Sequence, residues 1–324
     1  MQFSRRDFLS VTASTLIART NLPAETRMSS RERVDHALAG RDVDRPPFSF
    51  WHHFELQKEP PERLVQATLD FHARFKTDLV KVMSDFPYPK PEGQWYGLRE
   101  EANPFPAQIQ ALNSIGQSLG HRAYFLETIF NPWKVAENLS SPQKIMRLKE
   151  EQPQRLLDAL EVITKSEANH ARRAVEAGAS GIFLAIANAQ DGILSQDDYA
   201  KFSEPFDRRI LEATAQAPLN TLHLHGDKVY LDRFYKGWAA SVINYSVQGT
   251  QVPMSNVRQK YSGVLMGGLD EVCFRSLSAE TLRSQYESAR KEAGKRFILA
   301  PGCSVPNDST DAELLRVPQF LGLV

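Results

Sequence analysis

This chain of 324 residues predicts an α/β fold built on a parallel sheet, and within that class a single-domain (β/α)8 TIM barrel. Three observations carry the prediction. From Met28 onward, short apolar runs rich in β-branched residues alternate with segments of helical period. About eight such runs can be counted, the number that a closed barrel of this size needs. The polar residues that end those runs include a concentrated set of metal-ligating types, and the C-terminal ends of the strands are where a barrel keeps its chemistry.

The runs are Pro47 to Trp51, Asp78 to Met83, Arg122 to Ile129, Gly181 to Ile186, Asn220 to Leu224, Ser241 to Tyr245, Val264 to Gly267 and Arg296 to Ala300. The helical segments between them carry their own punctuation. Ser29 to Ala39 opens as a capping box, with Glu32 three residues after Ser29, and stops at Gly40. Leu148 to Ala177 is a long helical stretch broken near Pro153 and closed by Gly178. Ser195 caps another, with Asp197 and Asp198 in the first turn where the helix dipole favours them. Ser278 to Ala293 repeats that arrangement with Glu280 in its first turn and Gly294 at its end. The proline-rich piece from Phe86 to Pro106 exceeds a plain βα loop and reads as an elaborated lid or edge insertion, and residues 132 to 146 are read the same way.

Composition narrows the partners. Lys+Arg and Asp+Glu are both 39, for a formal net charge of zero. Nucleic acid and anionic membrane surfaces are therefore not expected, and a small-molecule substrate is. Nothing in the composition fixes an oligomeric state. The two cysteines, Cys273 and Cys303, make no disulfide framework; Cys273 reads as packed, leaving Cys303 to act as a ligand. Residues 1–27 stand apart from the barrel, which spans 28–324. Ser4-Arg5-Arg6-Asp7-Phe8-Leu9 and the short apolar stretch after it resemble a twin-arginine export signal, too short and polar to span a membrane. That implies a periplasmic protein exported folded, with its cofactor bound.

The predicted strands end, in order, at His52-His53, at Ser84-Asp85, near Glu127, at Asn188, Gln190 and Asp191, at His223-Leu224-His225, at Asn244-Tyr245, at Asp270-Glu271 and at Cys303. A His-x-His step on an extended chain sends both imidazoles to one side, because side chains alternate with period two. With Cys303 across the mouth they form an N/N/S set suited to zinc. The plainer alternative is one core histidine and one rim histidine. Asp85, Glu127 and Asp227 are candidates for a fourth ligand. His52 and His53 are adjacent, so at most one faces the mouth. Asp85 follows an apolar run and can face the cavity as an acceptor, or serve as a turn or cap aspartate.

The stretch from Gly181 through Asp191-Gly192-Ile193-Leu194-Ser195 to Phe202-Ser203-Glu204-Pro205-Phe206 resembles a characteristic block of the uroporphyrinogen decarboxylase superfamily. Arg31-Glu32-Arg33-Val34 and Asp44-Arg45-Pro46-Pro47 resemble its opening, Ser84-Asp85 its second strand end, and the Leu265 to Asp270 and Gly302-Cys303 regions its last two strands. The resemblance runs from about Ser29 to the C-terminus and implies the same (β/α)8 barrel.

Two chemistries are implied. True uroporphyrinogen decarboxylases have an arginine-rich loop after their first strand and an aspartate that binds pyrrole N–H groups. Asp85 matches that aspartate, but Phe50 to Gln57 contains no arginine, and Asn188 stands where many members have Asp. The other branch holds zinc-dependent methyltransferases that pass methyl groups between corrinoid proteins and thiols, with His-x-Cys and Cys as ligands. His223 and Cys303 match the outer ligands, and His225 replaces the middle cysteine. The expectation is metal-assisted methyl transfer with zinc on His223, His225 and Cys303. Asp85, Asn188, Asp191 and His53 are then catalytic, Tyr245 and Asp270 bind cofactor, and a corrinoid protein is the partner. The alternatives are decarboxylation of a tetrapyrrole or other carboxylate, and a non-catalytic corrinoid- or tetrapyrrole-binding barrel.

Overall fold

The computed structural model describes residues 27–324. The paired arginines of the N-terminal segment lie outside the described residues. Seven parallel strands form one sheet in sequential order, β1 Leu79–Val82, β2 Tyr124–Phe130, β3 Ile182–Ile186, β4 Thr221–Leu224, β5 Val242–Tyr245, β6 Val264–Leu269 and β7 Phe297–Pro301. Each coincides with one of the runs read from the sequence. Helices α1 Ser30–Ala39 and α2 Pro61–Phe75 precede β1, and α3 Pro106–Leu119 follows it. After β2 come α4 Pro132–Leu139, α5 Pro142–Glu151 and α6 Pro153–Glu176; after β3, α7 Gln196–Phe202 and α8 Glu204–Glu212. Short α9 Val247–Thr250 and α10 Met254–Arg258 follow β5, α11 Ala279–Ala293 follows β6, and α12 Asp311–Phe320 closes the chain.

The eighth strand is not regular. Pro47–Trp51 contributes one isolated bridge, Phe48 with Leu299. It nevertheless lies between the two edges of the sheet: Ser49 N donates to Leu299 O and Leu299 N to Pro47 O, while Asp78 N donates to Phe48 O. The ladder breaks for a chemical reason. Pro46 and Pro47 carry no N–H, and the Phe48 N–H is taken by the Asp78 carboxylate at 3.0 Å instead of a strand carbonyl. Asp78, fully buried, also accepts from Arg33 at 2.6 Å and from Arg45 at 3.1 Å. The Arg33 and Asp44-Arg45-Pro46-Pro47 motif thus clamps the N-terminal end of the sheet, away from the strand ends that hold the chemistry.

Helix boundaries follow the punctuation. Ser29 and Glu32 make a reciprocal capping box on α1, Gly40 ends it at φ 69°, and Ser195 and Ser278 cap α7 and α11 through their side chains. The break at Pro153 separates α5 from α6. Residues 132 to 146 correct the expectation of a lid or insertion: Asn131 and Ser141 cap the two helices α4 and α5, each with Pro at its first position. The segment after Phe86 has no regular structure until α3. Among the described residues no helix is long and apolar enough to cross a membrane.

Both faces of the sheet are buried. Leu79, Leu126, Phe183, Val242, Met266 and Ile298 pack together on the inner face, while Val80, Val82 and Phe125 join α3 on the outer face. Lys81 sits between Leu79 and Met83 in that alternation, so its side chain enters the interior.

Candidate metal centre

His223 is the penultimate residue of β4, which ends in Leu224 and continues through His225 and Gly226; β7 ends in Pro301, followed by Gly302 and Cys303. The ligand atoms of His223, His225 and Cys303 all lie within 4.8 Å of one another. His223 is buried, Cys303 half-buried and His225 exposed. The three can bind a metal ion.

Backbone proximity brings them together. Gly302 has room for no side chain: a Cβ there would stand 2.3 Å from Ser246 Cα and 2.7 Å from Glu271 Oε2. Its N–H donates to Glu271 Oε2 at 3.1 Å. Gly226, at φ 128°, would drive a Cβ to 2.2 Å from the Gln190 amide oxygen. That amide donates to the His225 and Ala187 carbonyls, which ties the β3 end to the β4 end.

His223 is oriented from behind. Its Nδ1 lies 2.6 Å from Asn244 Oδ1, and its ring stacks on Phe183 with centroids 5.0 Å apart. Burial alone would raise the Cys303 thiol, but the charges and hydrogen bonds of His223 and His225 outweigh it and bring the thiol down to about 4. His225 is raised in turn, chiefly by its hydrogen bond to Cys303. A thiolate facing imidazoles is what a soft, borderline metal takes as ligands.

The other expected residues fall in different places. Asp85 is buried, with Oδ1 3.6 Å from His53 Nδ1, so His53 and not His52 turns toward it; His52 packs against Phe54 and Phe71. Asn188 is buried with its Oδ1 held by Asn131 at 2.7 Å, in a network with Ser203 and Asp207. Asp191 is exposed in the turn after β3. The two residues expected to bind cofactor have protein partners of their own. Tyr245 is fully buried and donates to the Val252 carbonyl; strand alternation sends it outward and Asn244 inward. Asp270 accepts from the Cys273 N–H and organises its own turn. Cys273 is exposed, not packed. Of the fourth-ligand candidates, Glu127 accepts from His170 at 2.9 Å and from Gln108 at 2.8 Å on the outer side of β2, and Asp227 is exposed.

Three residues support the site; Asn244 and Glu271 stand among the strand ends read from the sequence without a role there, and Lys81 does not. Asn244 orients His223. Glu271, raised by burial above the ordinary carboxylate range, braces Gly302 and is electrostatically linked to Cys303. Lys81 is 7% exposed, with Nζ 4.8 Å from the Phe183 ring centre. Burial lowers its ammonium to about 8, against the opposing pull of Cys303, Glu127 and Asp85. A lone lysine inside an apolar run was the available signal.

The family model of uroporphyrinogen decarboxylase (URO-D) matches residues 96–317, well over half of the chain. The chain belongs to the uroporphyrinogen decarboxylase family. Among solved structures, a methyltransferase from Methanosarcina mazei superposes with a TM-score of 0.71 at 17% identity, covering 92% of this chain and 100% of that one. A B12-independent methionine synthase from Shewanella sp. W3-18-1 follows with a TM-score of 0.56 at 10% identity, covering 86% and 94%. A putative vitamin-B12-independent methionine synthase from Listeria monocytogenes gives 0.55 at 9%, covering 82% and 87%. At such identities the likeness is one of fold. No curated protein sequence matches the chain. This URO-D family member thus has a TIM-like α/β fold with its His-His-Cys cluster at the strand ends.

Proposed function

We propose that this URO-D family protein is a zinc-dependent methyltransferase, with His223, His225 and Cys303 holding the metal. The convergence of their ligand atoms within 4.8 Å at the ends of β4 and β7 carries the reading. Atoms bound to one tetrahedral zinc stand roughly 3.3–3.8 Å apart, given bonds of about 2.0–2.3 Å, so a contraction of roughly 1 Å in the widest separation would close the set. Three protein donors leave a fourth position for substrate, as catalytic zinc requires. Zinc bound there would supply a Lewis acid that lowers the pKa of an acceptor thiol.

The chain's own residues do the rest. Asn244 fixes the His223 ring; Glu271 holds the Gly302 backbone against Ser246; Lys81 sets a positive charge beneath the cluster, favouring anionic sulfur. Asp85 and His53 face each other as the pair that orients substrate, while Asn188 is held at the β3 end by Asn131. The transfer would join the acceptor's sulfur, through its lone pair, to the methyl group as the donor's bond to that group breaks and the donor keeps the electron pair; the thiol proton would pass to solvent, and a methylated corrinoid would supply that chemistry as donor. A corrinoid protein as partner and export of the loaded protein by the twin-arginine segment belong to the same reading.

Metal analysis together with methyl transfer from methylcobalamin to a small thiol tests it. Near-stoichiometric zinc that is lost in Cys303→Ala, with transfer lost in parallel, is expected. Carbon dioxide release from uroporphyrinogen by zinc-free protein would overturn it in favour of decarboxylation. Full-length protein retained in the cytosolic fraction would overturn the export part.

A further inference from the structure

Beside the metal cluster, a second feature shares only Asp85 with the residues given a role above. A cavity of about 170 Å³ lies between the β1 and β2 ends, α4, α6 and the irregular segment after Phe86. Its walls include Phe86, Phe105 and Phe130, and three polar side chains, Asp85, Tyr88 and Glu167. All three are more than nine-tenths buried, at 7%, 8% and 2% exposed. Asp85 Oδ2 and the Tyr88 hydroxyl have no hydrogen-bond partner. Burial, with the nearby Glu127 carboxylate adding to it, holds the Glu167 carboxyl well above the ordinary range.

A buried carboxylate oxygen without a donor is costly, and native structures nearly always satisfy such atoms. Here the missing partner must be a donor, must fit among aromatic faces, and must balance the buried Asp85 carboxylate. Those three demands select a cation over an anion, and an organic cation over a metal ion, since hard cations take six or more oxygens and, apart from Ser84 and the exposed Lys90 and Asn138, the remaining wall is apolar. Aromatic faces attract ammonium groups, most strongly when water is excluded. The volume compares with that of a cavity of about 150 Å³ that holds benzene, which sets the ligand at roughly four to seven heavy atoms. Lys90 borders the cavity but is exposed, and none of the ion pairs among the described residues joins it to Asp85 or Glu167.

We propose that this cavity is a binding site for a small alkylammonium ion bearing at least one N–H. The N–H donates to Asp85 Oδ2, the alkyl groups lie against Phe86, Phe105 and Phe130, and Glu167 supplies the second acceptor. This goes beyond methyl transfer and stands without a metal.

Calorimetric titration of the full chain at neutral pH with trimethylammonium, tetramethylammonium and tert-butanol tests the proposal. Trimethylammonium is expected to bind at one site, with tetramethylammonium and neutral tert-butanol weaker by roughly tenfold or more, the usual effect of losing a charged hydrogen bond. Asp85→Asn should weaken binding by a similar factor and Glu167→Gln, which keeps an acceptor, by less, while both isosteric variants unfold as cooperatively as wild type. If tert-butanol binds as well as trimethylammonium, or if neither variant alters trimethylammonium binding, the site is an apolar cavity only and the proposal fails. Equal binding of tetramethylammonium would remove the N–H requirement and overturn it in that form. None of these readouts depends on zinc, so failure here and failure of the methyltransferase reading are separately visible.

Discussion

His223 Nδ1 and Asn244 Oδ1 are 2.6 Å apart, on residues that pair directly in the β4–β5 ladder. The Asn244 amide cannot turn around, because its Nδ2 donates to the Met266 and Pro301 carbonyls. Its oxygen is therefore fixed toward the imidazole and accepts from Nδ1, which leaves Nε2 as the atom turned toward Cys303. The ring orientation that a metal needs is thus set by the sheet itself.

Asn244→Leu should consequently weaken metal binding by about ten- to hundredfold, the usual effect of removing a partner that orients a ligating histidine. Competition with a chromogenic chelator measures it. Asn244→Asp keeps an acceptor at the same place and should bind more tightly than Asn244→Leu. Equal affinity in wild type and Asn244→Leu would show that the ring orients itself.

The two cysteines should separate by pH. In metal-free protein, Cys303 is held at about 4 against burial by His223 and His225, so it stays thiolate across the neutral range and loses reactivity only as the pH falls toward that value. Cys273 is exposed and raised, first by the charge of Asp270, so it becomes thiolate only in alkali. Alkylation by iodoacetamide at pH 6, read by peptide mass spectrometry, should label Cys303 and spare Cys273. Bound metal should protect Cys303.

The cluster was legible in the sequence but the roles of its supports were not, for a physical reason. His223 and His225 were legible because period two places them on one face, and Cys303 because it ends a run of apolar residues. The same period should separate Asn244 from Tyr245, yet strands buried on both sides read as continuous apolar runs, so the pattern does not say which face is inside. Lys81 was hidden likewise within Val80-Lys81-Val82. The irregular first strand failed differently: Pro46-Pro47 signalled lost N–H donors, but the replacement acceptor, Asp78, comes from a residue thirty positions on, which local pattern cannot supply.

That acceptor leads to a stability prediction. Asp78 compensates the buried Arg33 and the largely buried Arg45. Asp78→Ala should destabilise the protein by about 3–5 kcal/mol, because two guanidinium groups lose their shared counter-charge. Urea unfolding measures the change, and a loss below about 1 kcal/mol would mean that water replaces the carboxylate.

Asp207 gives a pH dependence whose sign can be worked out. Burial pushes its carboxyl up from 3.8 to about 7, despite hydrogen bonds from Ser203, Tyr199 and Asn131 that favour the charged form. Between those two values the native protein holds a proton that the unfolded chain has released. Native protein binds more protons there, so stability must fall as pH rises from about 4 to about 7 and level off above. The full drop from this one group is on the order of 4 kcal/mol. Glu167 and Glu271, also raised by burial, add slope of the same sign. Asp207→Asn cannot titrate, so its stability should vary less over this range, whatever it loses at low pH by presenting an amide to Asn131. Unfolding free energies of both proteins from pH 4 to 8 decide the matter, and parallel profiles would mean that Asp207 is already ionised in the fold.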